Sequence, residues 1–547
     1  MTHHPLIAAL AAALLILSAP RPAAAHDDDA DGKPGEVIGT AHFPVSCNEP
    51  AQREFDHAIA LHHSFWFDPA NQAYKKVLEL DPACGMAYWG LALSALANPF
   101  AWPAPAKAME VGAGYMATAQ HIGGRTAREQ GFIDALAAFY ADWPNTEHRP
   151  RALAWEQGMA KVAAANPDDT ETQIFYALAL IANAQASDKT FANQLKAGAI
   201  LEPMFESRTD HPGVAHYLIH AYDYTALVEK GLPAARRYAS IAPSAPHALH
   251  MPAHIFTRLG LWEDSIETNS ASAKAARAEM KTPSLSLGSY NALHAMDYMT
   301  YAYLQRSQDK AAQRIVEEVS AIQKLDAANF PAAYALAAIP ARYALERRDW
   351  KTAAQLELQP KDMPWQQFPH AEAVNAYARA LGAARSGNRE TAATQIARLK
   401  QLQTELQKMK LGYWAQQAEI QITAASAWLA FANGKNDDAL AAMQKAVELE
   451  ANSDKHPVTP GPLIPARELL GEMLLEMNKP AAALAEFSRE TATEPNRYRA
   501  IANASRAAEQ SGDRQMARAL AEQLLELTAK RDTERAEVVQ AKLLLSM

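Results

Sequence analysis

Six of the 18 histidines in the chain fall between His211 and Phe256, in HPGVAHYLIHAYDYTALVEKGLPAARRYASIAPSAPHALHMPAHIF. Neutral imidazole is a transition-metal ligand through either ring nitrogen, and it also hydrogen-bonds small ligands and peptides. The spacing is regular: Pro212, His216 and His220 recur as Pro246, His250 and His254, each pair separated by 246 − 212 = 34 residues. An i, i+4 pair puts both rings on one helix face. Proline ahead of each pair suits a first helical turn, where the missing N–H has no intrahelical acceptor to lose.

His247, three residues before His250, extends the stripe. Carrying the register forward from the turn at Gly260 to the turn near Ser307 sets His294, Asp297 and Tyr301 in the places of His247, His250 and His254. Carrying it back, with Ala73 in the role of Ser265, sets His62 where His220 and His254 stand. Asp223 lies about one turn beyond His220. The expected site is a transition-metal centre on which these imidazoles converge: His216, His220, His247, His250, His254 and His294, joined by His62, with Asp223, Asp297 and Tyr301 as further ligands or as groups behind them. Zinc, copper and iron all suit such a set. Met251 and Met296 fall off the stripe, so no soft ligand argues for copper(I).

A second reading stays open, in which neutral histidines, tyrosines and Arg258 hydrogen-bond a peptide or small ligand without metal. His42, His57, His63, His121, His148, His211, His370 and His456 are expected to be structural. The aromatics Trp66, Tyr88, Trp89, Phe100 and Trp102 are expected to pack between repeats. HExxH, GxSxG, phosphate-loop and dinucleotide glycine patterns are absent, and neither cysteine sits in a CxxC setting.

The elements that must carry these residues are helices. At 547 residues the chain exceeds one compact core, and its 49% hydrophobic and 21% charged composition is that of a folded protein with short, helix-like apolar runs. LLGEMLLEMNKPAAALAEFSRETATEPN is followed by ANASRAAEQSGDRQMARALAEQLLEL; the turn at Asn478 matches Gly512 and Ala483 matches Ala517, again 34 residues apart (512 − 478). LGLWEDSIETNSASAKAA, LERRDWKTAAQLEL, AARSGNRETAATQIARL, FANGKNDDALAAMQKAVELE and FWFDPANQAYKKVLELDP share the turn-plus-small-residue pattern. A 34-residue unit of two amphipathic helices resembles the tetratricopeptide repeat family, from about residue 50 onward.

That resemblance implies an all-α fold, an α-solenoid of antiparallel helix pairs, whose concave groove is lined by the positions the histidine stripe occupies. LHHSFWFDP, DPACGMAYWGLALS, HPGVAHYLIH and HMPAHIFTRLG together resemble a group of exported bacterial tetratricopeptide proteins, a likeness that assigns no catalytic residue. The expected divisions are an N-terminal array over 47–345, middle repeats over 346–453, a Pro-rich linker over 454–465 and a C-terminal pair over 466–547.

Residues 1–25 read as a secretory signal, with an apolar run from Leu6 to about Ala19 and a small-residue site at Ala23–Ala25, followed by a flexible acidic lead-in over 26–46. A periplasmic or secreted protein is expected, in which Cys47 and Cys84, the only cysteines, are able to pair. The net charge of −9 and the lack of a basic stripe argue against nucleic acid, and no span crosses a membrane in the mature chain. The expected partner is a peptide or protein in the groove.

Overall fold

The computed structural model describes residues 35–547 apart from 186, 281–283 and 285. The expected signal segment and the first residues of the lead-in lie outside the described residues. From Glu49 to the C-terminus the chain is a succession of helices, each packed on the next. The only strands among the described residues are Leu287–Gly288 and Lys324–Leu325, a two-residue parallel pair. The fold is an all-α solenoid of tetratricopeptide-like helix pairs.

The local signals are those of helix termini. Pro212, Pro246 and Pro252 each open a helix, and Thr126 and Glu129 form a reciprocal capping box ahead of Ala127–Tyr140. The matched turns at Asn478 and Gly512 both adopt left-handed backbone, φ 57° and 86°, the conformation that glycine and asparagine take at least cost. Bulkier Phe65, φ 52°, sits in the same conformation after the helix Glu49–His63.

Two large buried clusters form the core. One runs from Ile38 to Phe256 and the other from Ala273 to Ala507, with a smaller one around Tyr498–Ala541. The division between the two large clusters falls beside the histidine helices. The Cys47–Cys84 disulfide ties the chain ahead of Glu49–His63 to the start of Gly85–Ala95. No helix among the described residues is long and apolar enough to cross a membrane.

The Pro-rich segment 454–465 differs from a solvent-exposed spacer. Val458, Thr459, Leu463 and Ile464 are buried, Tyr298 Oη donates to the Pro457 and Thr459 carbonyls, and Arg342 donates to those of Gly461 and Pro462. Without regular structure of its own, the segment meets its backbone hydrogen-bonding needs through side chains of the surrounding helices.

Candidate metal centre

Four helices carry the histidines. Pro212–Tyr222 holds His216 and His220. Pro246–His250 and Pro252–Arg258, separated by Met251, hold His247, His250 and His254. Tyr290–Gln305 holds His294. Their nitrogens gather into two groups, His216/His220/His247 and His250/His254/His294, with one ligand atom from each residue within 4.8 Å of the others in its group. The single convergence point expected from the stripe is therefore two. Each group combines an i, i+4 pair with a histidine from the following repeat, so the site repeats with the fold. The groups are neighbours: ring centroids of His220 and His254 lie 5.9 Å apart, and those of His247 and His250 lie 6.2 Å apart.

The hydrogen bonds decide which nitrogens are free. His216 Nδ1 donates to the His63 carbonyl at 2.6 Å, since a carbonyl only accepts. The Asn269 amide is oriented by its Nδ2 donating to the Ser265 carbonyl at 2.7 Å, so Asn269 Oδ1 accepts from His250 Nδ1 at 2.6 Å. His254 Nδ1 donates to Asp223 Oδ2 at 2.9 Å. Neutral His216, His250 and His254 therefore each present an unprotonated Nε2.

Two of these lone pairs, those of His250 and His254, point at each other, and that of His216 faces His247. His250 Nε2 lies 3.0 Å from His254 Nε2, and His216 Nε2 lies 3.2 Å from His247 Nε2. Two nitrogens each about 2.1 Å from one ion stand roughly 3.0 Å apart at a right angle and roughly 3.4 Å apart at the tetrahedral angle. His220 Nε2 and His294 Nδ1 are buried without a hydrogen-bond partner, one in each group.

The surroundings keep the rings neutral. Burial, then neighbouring imidazoles, holds His216, His220, His247 and His294 well below the ordinary histidine range, and burial and His254 push His250 down to about 3. His254 is lowered by burial in spite of Asp223. Burial opposes ionisation of Asp223, but Lys455 at 3.0 Å and Arg258 at 2.5 Å outweigh it and hold the carboxyl well below its usual range. Phe100 stacks on His220 at 3.8 Å, and Phe65 meets His216 at 4.4 Å. His247 and His294 are the half-buried members, one for each group, and the other four rings are buried.

Not every expected residue joins. His62 faces the first repeat, with Nδ1 on Ser94 Oγ at 3.1 Å among Phe67 and Phe175. Asp297 is fully buried against Arg342, Oδ1 to Nε 2.7 Å, and is thereby satisfied as a countercharge. Tyr301 lies two turns beyond His294, about 10 Å along the axis. Its hydroxyl accepts from Arg497 at 2.6 Å and donates to Glu494. Arg258 supports Asp223 rather than contacting a ring.

Four contributors were not expected. Asn269 and Lys455 act as described above. Tyr298 packs on His250 and His254 at 4.8 and 5.3 Å between ring centroids. His63 supplies the carbonyl that orients His216, and its ring belongs to a third group, His63/Glu171/His211. There the two Glu171 oxygens meet His63 Nε2 and His211 Nε2, each at 2.9 Å. Burial works against the Glu171 charge, but the two histidines outweigh it and hold the carboxyl far below its usual range. Its facing atoms are already hydrogen-bonded, so this group braces the helices behind His216.

No protein-family model matches the sequence, and no curated protein matches it. Similar solved structures include yeast Tom70 (12% identity, 91% of this chain and 96% of that one, TM-score 0.32). Others are the human IFIT1 dimer with PPP-AAAA (11%, 87% and 91%, 0.36) and the P58(IPK) TPR domain (15%, 69% and 98%, 0.21). At these scores the likeness carries no functional weight, and the fold class stands on the helix-to-helix packing above.

Proposed function

We propose that this protein holds two transition-metal ions side by side, one at His216, His220 and His247 and one at His250, His254 and His294. The observation that carries the reading is the 3.0 Å approach of His250 Nε2 to His254 Nε2 while both Nδ1 protons are committed elsewhere. Two unprotonated lone pairs at that distance repel, and a cation bound to both converts the repulsion into two bonds. Imidazole-only groups suit zinc, copper(II) or iron(II), and three protein ligands leave a position open for water or substrate. An exported location is supported by the Cys47–Cys84 pair and the apolar N-terminal pattern.

Elemental analysis of untagged protein, followed by titration of the stripped protein with zinc, copper and iron, tests the reading. Two equivalents are expected in the wild type, falling to one in His250→Ala/His254→Ala and to one in His216→Ala/His220→Ala. A protein that stays empty in every titration overturns the reading, and leaves a metal-free scaffold that binds a peptide or protein partner.

A further inference from the structure

A cavity of about 360 Å³ reaches Arg258 and Lys455, the two cations that hold Asp223 behind His254. That size falls in the range of small-molecule sites. Charged side chains in its wall fall into two classes. Arg258 and Lys455 both meet Asp223, Asp454 meets Lys189 at 2.5 Å, and Arg467 meets Glu486 at 2.7 Å. Each of these has a countercharge within hydrogen-bond distance.

Three glutamates do not. Glu450 accepts one backbone N–H, from Ala466 at 2.7 Å. Glu490, 4% exposed, has its nearest cation, Arg467, at 3.9 Å, beyond a hydrogen bond. Glu494 has Arg497 at 3.9 Å and accepts from the Tyr301 hydroxyl at 3.2 Å. Arg497 is already spent on Glu468 and Glu346. Burial and mutual repulsion push Glu450 up to about 8 and Glu490 well above its usual range. Tyr377, Tyr413 and Trp414 supply aromatic surface in the same wall, the two neighbouring rings 5.0 Å apart. Glu450 and Glu490 therefore both hold their protons at neutral pH and would become carboxylates by releasing them as a cation binds, and aromatic faces attract cations.

We propose that this cavity binds an organic cation, a small molecule with an ammonium or guanidinium group on an apolar body, with Glu450, Glu490 and Glu494 as its countercharges. A bare metal ion fits less well, because among the described residues these glutamates do not bring their oxygens within one ion's reach of each other. The proposal needs no ion at the histidine centre and stands or falls separately from it.

Calorimetric titration of the full chain with 1,5-diaminopentane and with phenethylamine, beside glutarate as the dicarboxylate control, tests it. Either amine is expected to bind below millimolar concentration, while glutarate does not. Glu450→Gln and Glu490→Gln are each expected to weaken amine binding by about tenfold or more, with melting temperatures unchanged or raised. Glu494→Gln, at a partly exposed position, supplies a third variant should a buried one fail to fold. No binding of either amine at millimolar concentration, or wild-type affinity in the folded variants, overturns the proposal.

Discussion

His250 Nε2 and His254 Nε2 face each other at 3.0 Å with no proton available to lie between them, because Asn269 and Asp223 each take the proton on the far side of the ring. The arrangement is preset from outside the site. Asn269 is held by Ser265 one turn back on its own helix, and Asp223 is held by Arg258 and Lys455. Polar groups behind a ligand set its tautomer and direction as much as the ligand's own place on the helix.

Asn269→Ala removes the acceptor that keeps the proton on His250 Nδ1. That ring then becomes free to carry its proton on Nε2, where a metal would bind. Metal affinity at the His250/His254/His294 group is expected to fall by about 10- to 100-fold, while the other group keeps its affinity. Competition with a chelator of known affinity reads both values. Equal losses at the two groups would contradict a local role for Asn269.

Asp223 and Lys455 separate two kinds of buried charge. Asp223→Ala strands Arg258 and Lys455 without their shared carboxylate, and the fold is expected to lose about 3–5 kcal/mol. Lys455→Met leaves Asp223 still paired with Arg258 at 2.5 Å, and stability is expected to stay within about 1 kcal/mol of wild type. Urea unfolding of both variants checks the contrast. A Lys455→Met loss as large as that of Asp223→Ala would show that Arg258 alone does not compensate the carboxylate.

The repeat made much of this legible in advance. A period of 34 residues, proline at the helix starts and left-handed turns at Asn478 and Gly512 are local signals, and they translate directly into helix pairs. The same period pairs His216 and His220 with His250 and His254, the turn register adds His294, and all six of the principal candidates stand in the two groups. It does not predict which groups a side chain meets. Equating Tyr301 with His254 by register reproduces the spacing, seven residues after the preceding histidine in both, but not the partners, because Arg497 and Glu494 engage the Tyr301 hydroxyl. Asp297 likewise answers to Arg342, whose place opposite it depends on a helix 45 residues later. Lys455 reaches Asp223 across 232 residues from a segment that reads as a linker, a contact that no local pattern encodes.

Cys47 and Cys84 close a loop with a sequence separation of 37 residues around the first helix pair. Restricting the unfolded chain in this way stabilises the fold by about 4 kcal/mol. Cys47→Ser/Cys84→Ser is therefore expected to lower the melting temperature of the N-terminal half, while the core from Ala273 onward is affected less. Hydrogen exchange resolves the two halves. Uniform loss of protection along the whole chain would mean that the array unfolds as one unit.

His57 gives a pH dependence distant from the histidine groups. Burial disfavours its charge, but hydrogen bonds to Glu36 at 2.7 Å and Glu54 at 3.3 Å outweigh burial and raise it to about 9. A folded-state value above the unfolded value of about 6.5 means that the folded chain binds the proton more tightly. Its stabilising contribution is therefore complete below about pH 6.5 and disappears as pH rises through about 9. With the ring 18% exposed, the contribution is expected to be about 2 kcal/mol. His57→Gln should be less stable than wild type by that amount at pH 6 and about equal to it at pH 10. Urea unfolding at both pH values measures the difference directly, and a gap that persists at pH 10 would place the contribution of His57 in packing instead of in its charge.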